Sequence, residues 1–84
     1  MRKFPHLNEG QFAVTMADGA TGHVLLESGE ISMSETDEIY KVFPSVQPAI
    51  DYIQTRQKEN DTWEFVLKNH REELIKYFEA LRWS

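Results

Sequence analysis

Residues 12–26, FAVTMADGATGHVLL, decide the fold predicted for this 84-residue chain. The first half of the stretch alternates apolar residues with smaller or polar ones, the period of two typical of a half-buried strand. The alternating apolar residues are Phe12, Val14 and Met16. Asp18-Gly19 is a turn dipeptide, because glycine accepts positive φ and aspartate can bond its own backbone. A second strand follows at residues 24–26, so the stretch predicts the first hairpin of an antiparallel meander.

The turn of this hairpin, DGATGH, also raises two chemical hypotheses. A phosphate-binding loop needs converging backbone amides and a helix behind them, but a strand follows here and Asp18 would repel the anion. Asp18, His23 and Ser28 are the residue types of a hydrolase triad, yet no nucleophile-elbow pattern surrounds the serine. The sequence therefore favours a structural turn.

The next segment continues the meander and then interrupts it. Ile31 and Met33 alternate with serines and predict a third short strand after the Ser28-Gly29 turn. The polar run at residues 32–38, SMSETDE, predicts an exposed loop. A further strand is predicted at residues 39–43, IYKVF, because they are rich in β-branched and aromatic residues.

A helix is predicted at residues 45–58. Ser45 occupies the N-cap position, and Pro48 falls in the first turn, where its missing N–H costs nothing. The apolar residues lie three and four apart and form one face of the helix. They are Val46, Ala49, Ile50 and Ile53.

Residues 62–82 admit three interpretations. Residues 62–67 have strand composition, and Asn69 with Glu72 forms a capping box that would open a second helix. One long helix and a hairpin around residues 69–72 are the alternatives, although that turn lacks glycine. We predict a strand followed by a C-terminal helix. The predicted architecture is a single α+β domain over residues 1–84, with an antiparallel meander of about three to five strands and the 45–58 helix packed on one face.

The charge distribution is uneven. The net charge is −5, and no lysine or arginine occurs between Phe4 and Tyr40. From Lys41 onward seven basic and seven acidic residues balance. An acidic half repels phosphate backbones and suits a basic partner, so we expect no binding to nucleic acid.

Other features restrict the chemistry further. There is no cysteine, and no apolar run approaches the roughly 18 residues of a membrane helix. The three histidines, His6, His23 and His70, lack the spacing of paired metal ligands. We therefore predict a soluble cytoplasmic protein with no cofactor, no metal and no membrane contact.

The predicted function is a small, non-catalytic protein-interaction module with an accessory, regulatory or antitoxin-like role. The residues proposed to contact the partner form an acidic set and an aromatic C-terminal set: Glu35, Asp37 and Glu38, and Phe78, Leu81 and Trp83. One alternative is a ligand-binding or enzymatic domain with a pocket between sheet and helix, where His23 or His70 would be tested first. The other alternative is a structural homodimer using the last helix and an edge strand.

Overall fold

The computed structural model describes residues 4–34 and 37–82 and shows an α+β fold. Five antiparallel strands form one sheet, and one helix packs against it. The elements in chain order are β1 (Phe12–Asp18), β2 (Val24–Leu25), β3 (Tyr40–Phe43), α1 (Val46–Glu59), β4 (Trp63–Lys68) and β5 (Leu74–Phe78). The predicted fold class is therefore confirmed.

Strand β1 lies at the centre of the sheet. On one edge it pairs along most of its length with β4, and β5 pairs with the far edge of β4. On its other edge β1 pairs with two strands in succession, β3 beside its first half and β2 beside its second half. Both edges of β1 are therefore occupied by partner strands, and the order of the sheet depends on this pairing.

The hydrophobic core lies between α1 and one face of the sheet. Because side chains alternate along a strand, every second residue of β1 and β4 points toward the helix. The buried core residues are Val14, Met16, Leu25, Ala49, Ile53, Phe65 and Leu67. Burying one such large side chain stabilises the fold by about 1.5–3 kcal/mol.

The predicted helix is observed at Val46–Glu59, with Ser45 at the N-cap position. Ser45 directly precedes the first helical residue, but its side chain makes no capping hydrogen bond. Near the other end, the buried Gln57 donates from Nε2 to the backbone oxygen of Glu79 at 3.0 Å. This bond attaches the chain after β5 to the helix.

The predicted C-terminal helix is wrong, because residues 74–78 form strand β5 in a hairpin with β4. The Asn69 Oδ1 atom accepts hydrogen bonds from the backbone N–H groups of Arg71 and Glu73, both at 2.9 Å. Glu72 adopts a φ of 60°, the left-handed conformation for which glycine was expected. Asn69 therefore caps a hairpin turn, and the hairpin alternative is the one that forms.

The predicted third strand at Ile31 is reduced to a single bridge. Ile31 pairs only with Leu25, outside the named strands. Met33, which was expected to continue that strand, is exposed and takes no part in the sheet. The meander therefore loses its regular form after β2.

A turn joins β1 and β2, as predicted. The backbone N–H of Gly22 donates to Asp18 O at 2.7 Å, and the Asp18 carboxylate accepts from the N–H of Ala20 at 2.8 Å. Gly19 donates its N–H to Thr62 O at 2.8 Å. A Cβ at position 19 would lie 2.7 Å from the Ala80 Cβ and 2.8 Å from Thr62 O. Glycine is required here for close approach.

Gly19→Ala is expected to lower the free energy of unfolding by about 1–3 kcal/mol, because the added methyl group overpacks this contact. Ala20→Ser, at the exposed neighbouring position, is the control and should stay within about 0.5 kcal/mol of the wild type. Urea denaturation followed by tryptophan fluorescence measures both. Equal stability of Gly19→Ala and the wild type would contradict the packing described here.

Candidate functional site

Strands β2 and β3 are two halves of one strand. Leu25 pairs with Met16 of β1, and Tyr40 pairs with Thr15 on the same edge. Since Thr15 and Met16 are consecutive, Leu25 and Tyr40 occupy neighbouring positions, roughly one strand step of about 3.4 Å apart. The fourteen residues between them, 26–39, leave the sheet and return to the same point. This is the geometry of an Ω loop, and residues 26–39 are called the Ω loop below.

The Ω loop carries the net charge of the protein. It holds five acidic residues and no basic one. They are Glu27, Glu30, Glu35, Asp37 and Glu38. The full chain has 14 acidic and 9 basic residues, so outside the loop the two signs balance. The negative charge noted for the N-terminal half is thus concentrated in the Ω loop.

The first part of the Ω loop folds back on β2. Leu26 donates its N–H to Glu30 O at 2.8 Å, and Ser32 donates its N–H to Val24 O at 2.9 Å. Gly29, with a φ of 94°, forms the bend between them. A Cβ on Gly29 would lie 3.0 Å from a carbon of the Trp63 ring, so this bend rests on the start of β4.

Asp37 organises the second part of the Ω loop. Its Oδ2 atom accepts hydrogen bonds from the backbone N–H groups of Met33 and Ser34, both at 3.0 Å. The Ser32 hydroxyl donates to the same oxygen at 3.2 Å. Asp37, predicted as a partner contact, therefore holds the loop's own backbone and presents Met33, whose surface is 86% exposed.

Two cations attach the Ω loop to the body of the protein through Glu27. Arg56 of α1 donates from Nη2 to the Glu27 backbone oxygen at 2.6 Å. The Lys41 ammonium of β3 lies 2.9 Å from Glu27 Oε1. Both cations also lie over aromatic rings, Lys41 at 5.5 Å from the Tyr52 centroid and Arg56 at 4.9 Å from that of Trp63. The Glu27 end of the loop is therefore attached to α1 and β3.

A cavity of about 330 Å³ opens beneath the two ends of the Ω loop. Its lining includes three core residues, each at most 4% exposed, which form an apolar floor: Val14, Met16 and Leu25. Tyr52 contributes from α1, and the polar lining consists of Glu27, Glu38 and Lys41. Burial raises the pKa of Tyr52 above its ordinary value.

The cavity lies between sheet and helix, where the ligand-binding alternative placed a pocket, but neither histidine lines it. The His23 Nδ1 atom lies 2.8 Å from Thr21 Oγ1 within the β1–β2 turn. His70 belongs to the β4–β5 turn. Across residues 4–34 and 37–82, no group of three metal-ligating side chains comes together. Within those same residues, no helix has the length and apolar content to cross a membrane.

The remaining predicted contact residues that the structure describes lie in two separate places. Glu38 is exposed on the Ω loop, whereas Glu35 and Trp83 lie outside the described residues. Phe78 of β5 pairs with Phe65 and packs against the core, and Leu81 is exposed beyond it. Strand β5 forms the edge of the sheet opposite the loop, with β1 and β4 between the two edges, so Phe78 lies across the sheet from Glu38.

Several residues of this site were absent from the predicted set. Glu30 and Glu27 are part of the acidic window, so the charge pattern could have identified them. Tyr52 and Lys41 reach the site through the packing of α1 and β3. No local sequence pattern distinguishes them from ordinary core and strand residues.

Comparison with protein families, with curated proteins and with solved structures finds no match to this chain.

Proposed function

We propose that this protein is a small, non-catalytic interaction module and that the Ω loop binds a basic protein partner. The observation that carries the proposal is the register of β2 and β3, which makes the loop an insertion into an otherwise continuous strand. That insertion holds the whole excess of negative charge.

The Ω loop contributes nothing to the hydrophobic core among its described positions, 26–34 and 37–39. Hydrogen bonds of Asp37 and Arg56 and the ion pair of Lys41 nevertheless hold its conformation. The Ω loop is therefore a surface loop on a rigid scaffold. Such loops commonly carry binding function. Because these bonds already hold the described positions of the loop, binding would cost less conformational entropy there than ordering a free segment.

Exposed apolar side chains accompany the negative charge. Met33 and Ile31 are both exposed beside the loop's carboxylates. Methionine adapts to irregular partner surfaces, and apolar anchors within a charged rim are typical of binding sites. A partner with basic residues around an apolar patch would match both features. The same charge disfavours nucleic acid, consistent with an accessory, regulatory or antitoxin-like role in the cytoplasm.

The paired variant Glu30→Gln/Glu38→Gln is expected to weaken partner capture by about threefold to tenfold, since two exposed charge interactions are lost. The matched control is Glu9→Gln/Glu79→Gln, which changes the net charge equally at exposed positions outside the loop. Capture from a lysate of the native organism, at low and at high salt, measures the bound amount. Salt should release the partner from the wild type and from the control.

Equal capture by the loop variant and the control would contradict a role for the Ω loop. A partner retained in full at high salt would contradict the electrostatic basis of the proposal.

A second candidate function is self-association through β5. The predicted helical interface is absent, but β5 is an edge strand whose Leu74, Ile75 and Tyr77 are 45–60% exposed. An edge with unpaired backbone groups and apolar side chains is a template for pairing with another chain. Two copies of β5 could pair antiparallel around a two-fold axis.

This candidate predicts that the 9.8 kDa mass doubles as concentration rises, measured by light scattering after size exclusion. Ile75→Lys should keep the protein monomeric, because a charge on an edge strand opposes pairing. Met33→Lys, on the Ω loop, is the control and should leave the mass unchanged. A wild-type monomer at every concentration would rule out the dimer.

A further inference from the structure

We infer that the cavity beneath the Ω loop receives a lysine or arginine side chain of the basic partner. The aliphatic stem would lie on the apolar floor, and the cationic group would pair with Glu38 at the opening. This inference rests on the proposed function, because it names the anchor by which the partner engages the same loop.

The dimensions and lining of the cavity suit a long, unbranched side chain. Its volume of about 330 Å³ is at the lower end of the range for binding sites. Val14, Met16 and Leu25 offer apolar contact to methylene groups, and Tyr52 adds an aromatic wall. Lysine and arginine bury such methylene stems while their charged ends stay near water.

The charges at the cavity favour a cation. Glu27 and Lys41 neutralise each other through their 2.9 Å ion pair. Glu38 lines the same cavity, is exposed, and makes no hydrogen bond or ion pair with another described residue. One carboxylate charge therefore remains without a described counter-charge. An anion would be repelled by it, and a neutral apolar group would remove water from it without compensation.

The position of the cavity connects it to the loop. Its lining includes residues from both ends of the Ω loop, Glu27 at the start and Glu38 and Ile39 at the finish. A partner that lies on the loop's carboxylates would therefore have a side chain within reach of the opening. The loop supplies long-range attraction, and the cavity supplies a specific anchor.

Butylguanidinium and butylammonium are the probes for this site, and butylurea is the uncharged control. In protein labelled with ¹³C at the methionine methyl groups, the Met16 signal reports on the cavity floor. The Met33 signal reports on the exposed loop. We expect either cation to shift Met16 in a saturable manner with little change at Met33, and butylurea to bind at least threefold more weakly.

Two matched variants test the role of Glu38. Glu38→Gln should weaken binding of the cationic probe by about threefold to tenfold, whereas Glu30→Gln, on the same loop but outside the cavity lining, should not. Both positions are exposed, so both variants should fold. No saturable shift at Met16 with either cation, or equal binding by the two variants, would overturn the inference.

A competition experiment separates this inference from the proposed function. Butylguanidinium should elute the captured partner, while butylurea with sodium chloride at the same ionic strength should not. If the cation binds the cavity but fails to elute the partner, the cavity is a site for free alkyl cations and the proposed anchor is wrong. If the probes do not bind but the loop variants still lose the partner, the anchor fails and the interaction loop stands.

Discussion

The continuous register along one edge of β1 is the constraint on which the rest of the structure depends. Thr15 pairs with Tyr40 and Met16 pairs with Leu25, so β2 and β3 together form one interrupted strand beside β1. Hydrogen bonding on both edges of β1 then fixes the sheet, and the helix covers the face that carries the core. The residues between β2 and β3 take no part in the pairing with β1, and they carry the excess negative charge.

The two parts of the molecule are stabilised by different interactions. The core depends on buried apolar surface between α1 and the sheet, an interaction that salt does not screen. The Ω loop depends on the Asp37 hydrogen bonds and on the contacts of Glu27 with Lys41 and Arg56. An exposed ion pair contributes only about 0–1 kcal/mol, so the Glu27–Lys41 pair adds little to global stability. That separation suits a binding surface.

The sequence predicts local elements and fails where pairing is distant. The alternation from Phe12 to Met16 specifies β1, and the three- and four-residue spacing around Ile53 specifies α1. Both elements could be predicted because each pattern is complete within one segment. Asn69 misled the prediction, since an asparagine followed by polar residues caps a helix and a hairpin turn with similar hydrogen bonds. The register of β3 against β1 joins residues far apart in the chain, so no local pattern reveals the Ω loop or its cavity.

Deletion of residues 26–39, joining Leu25 directly to Tyr40, tests the central claim most directly. The shortened chain should fold with a continuous edge strand, because the joined residues already occupy neighbouring positions beside β1. Hydrogen exchange should show protected amides in β1 and β4, and thermal unfolding should remain cooperative. A deletion variant without protected amides or a cooperative transition would show that the loop is part of the fold and contradict its description as an insertion.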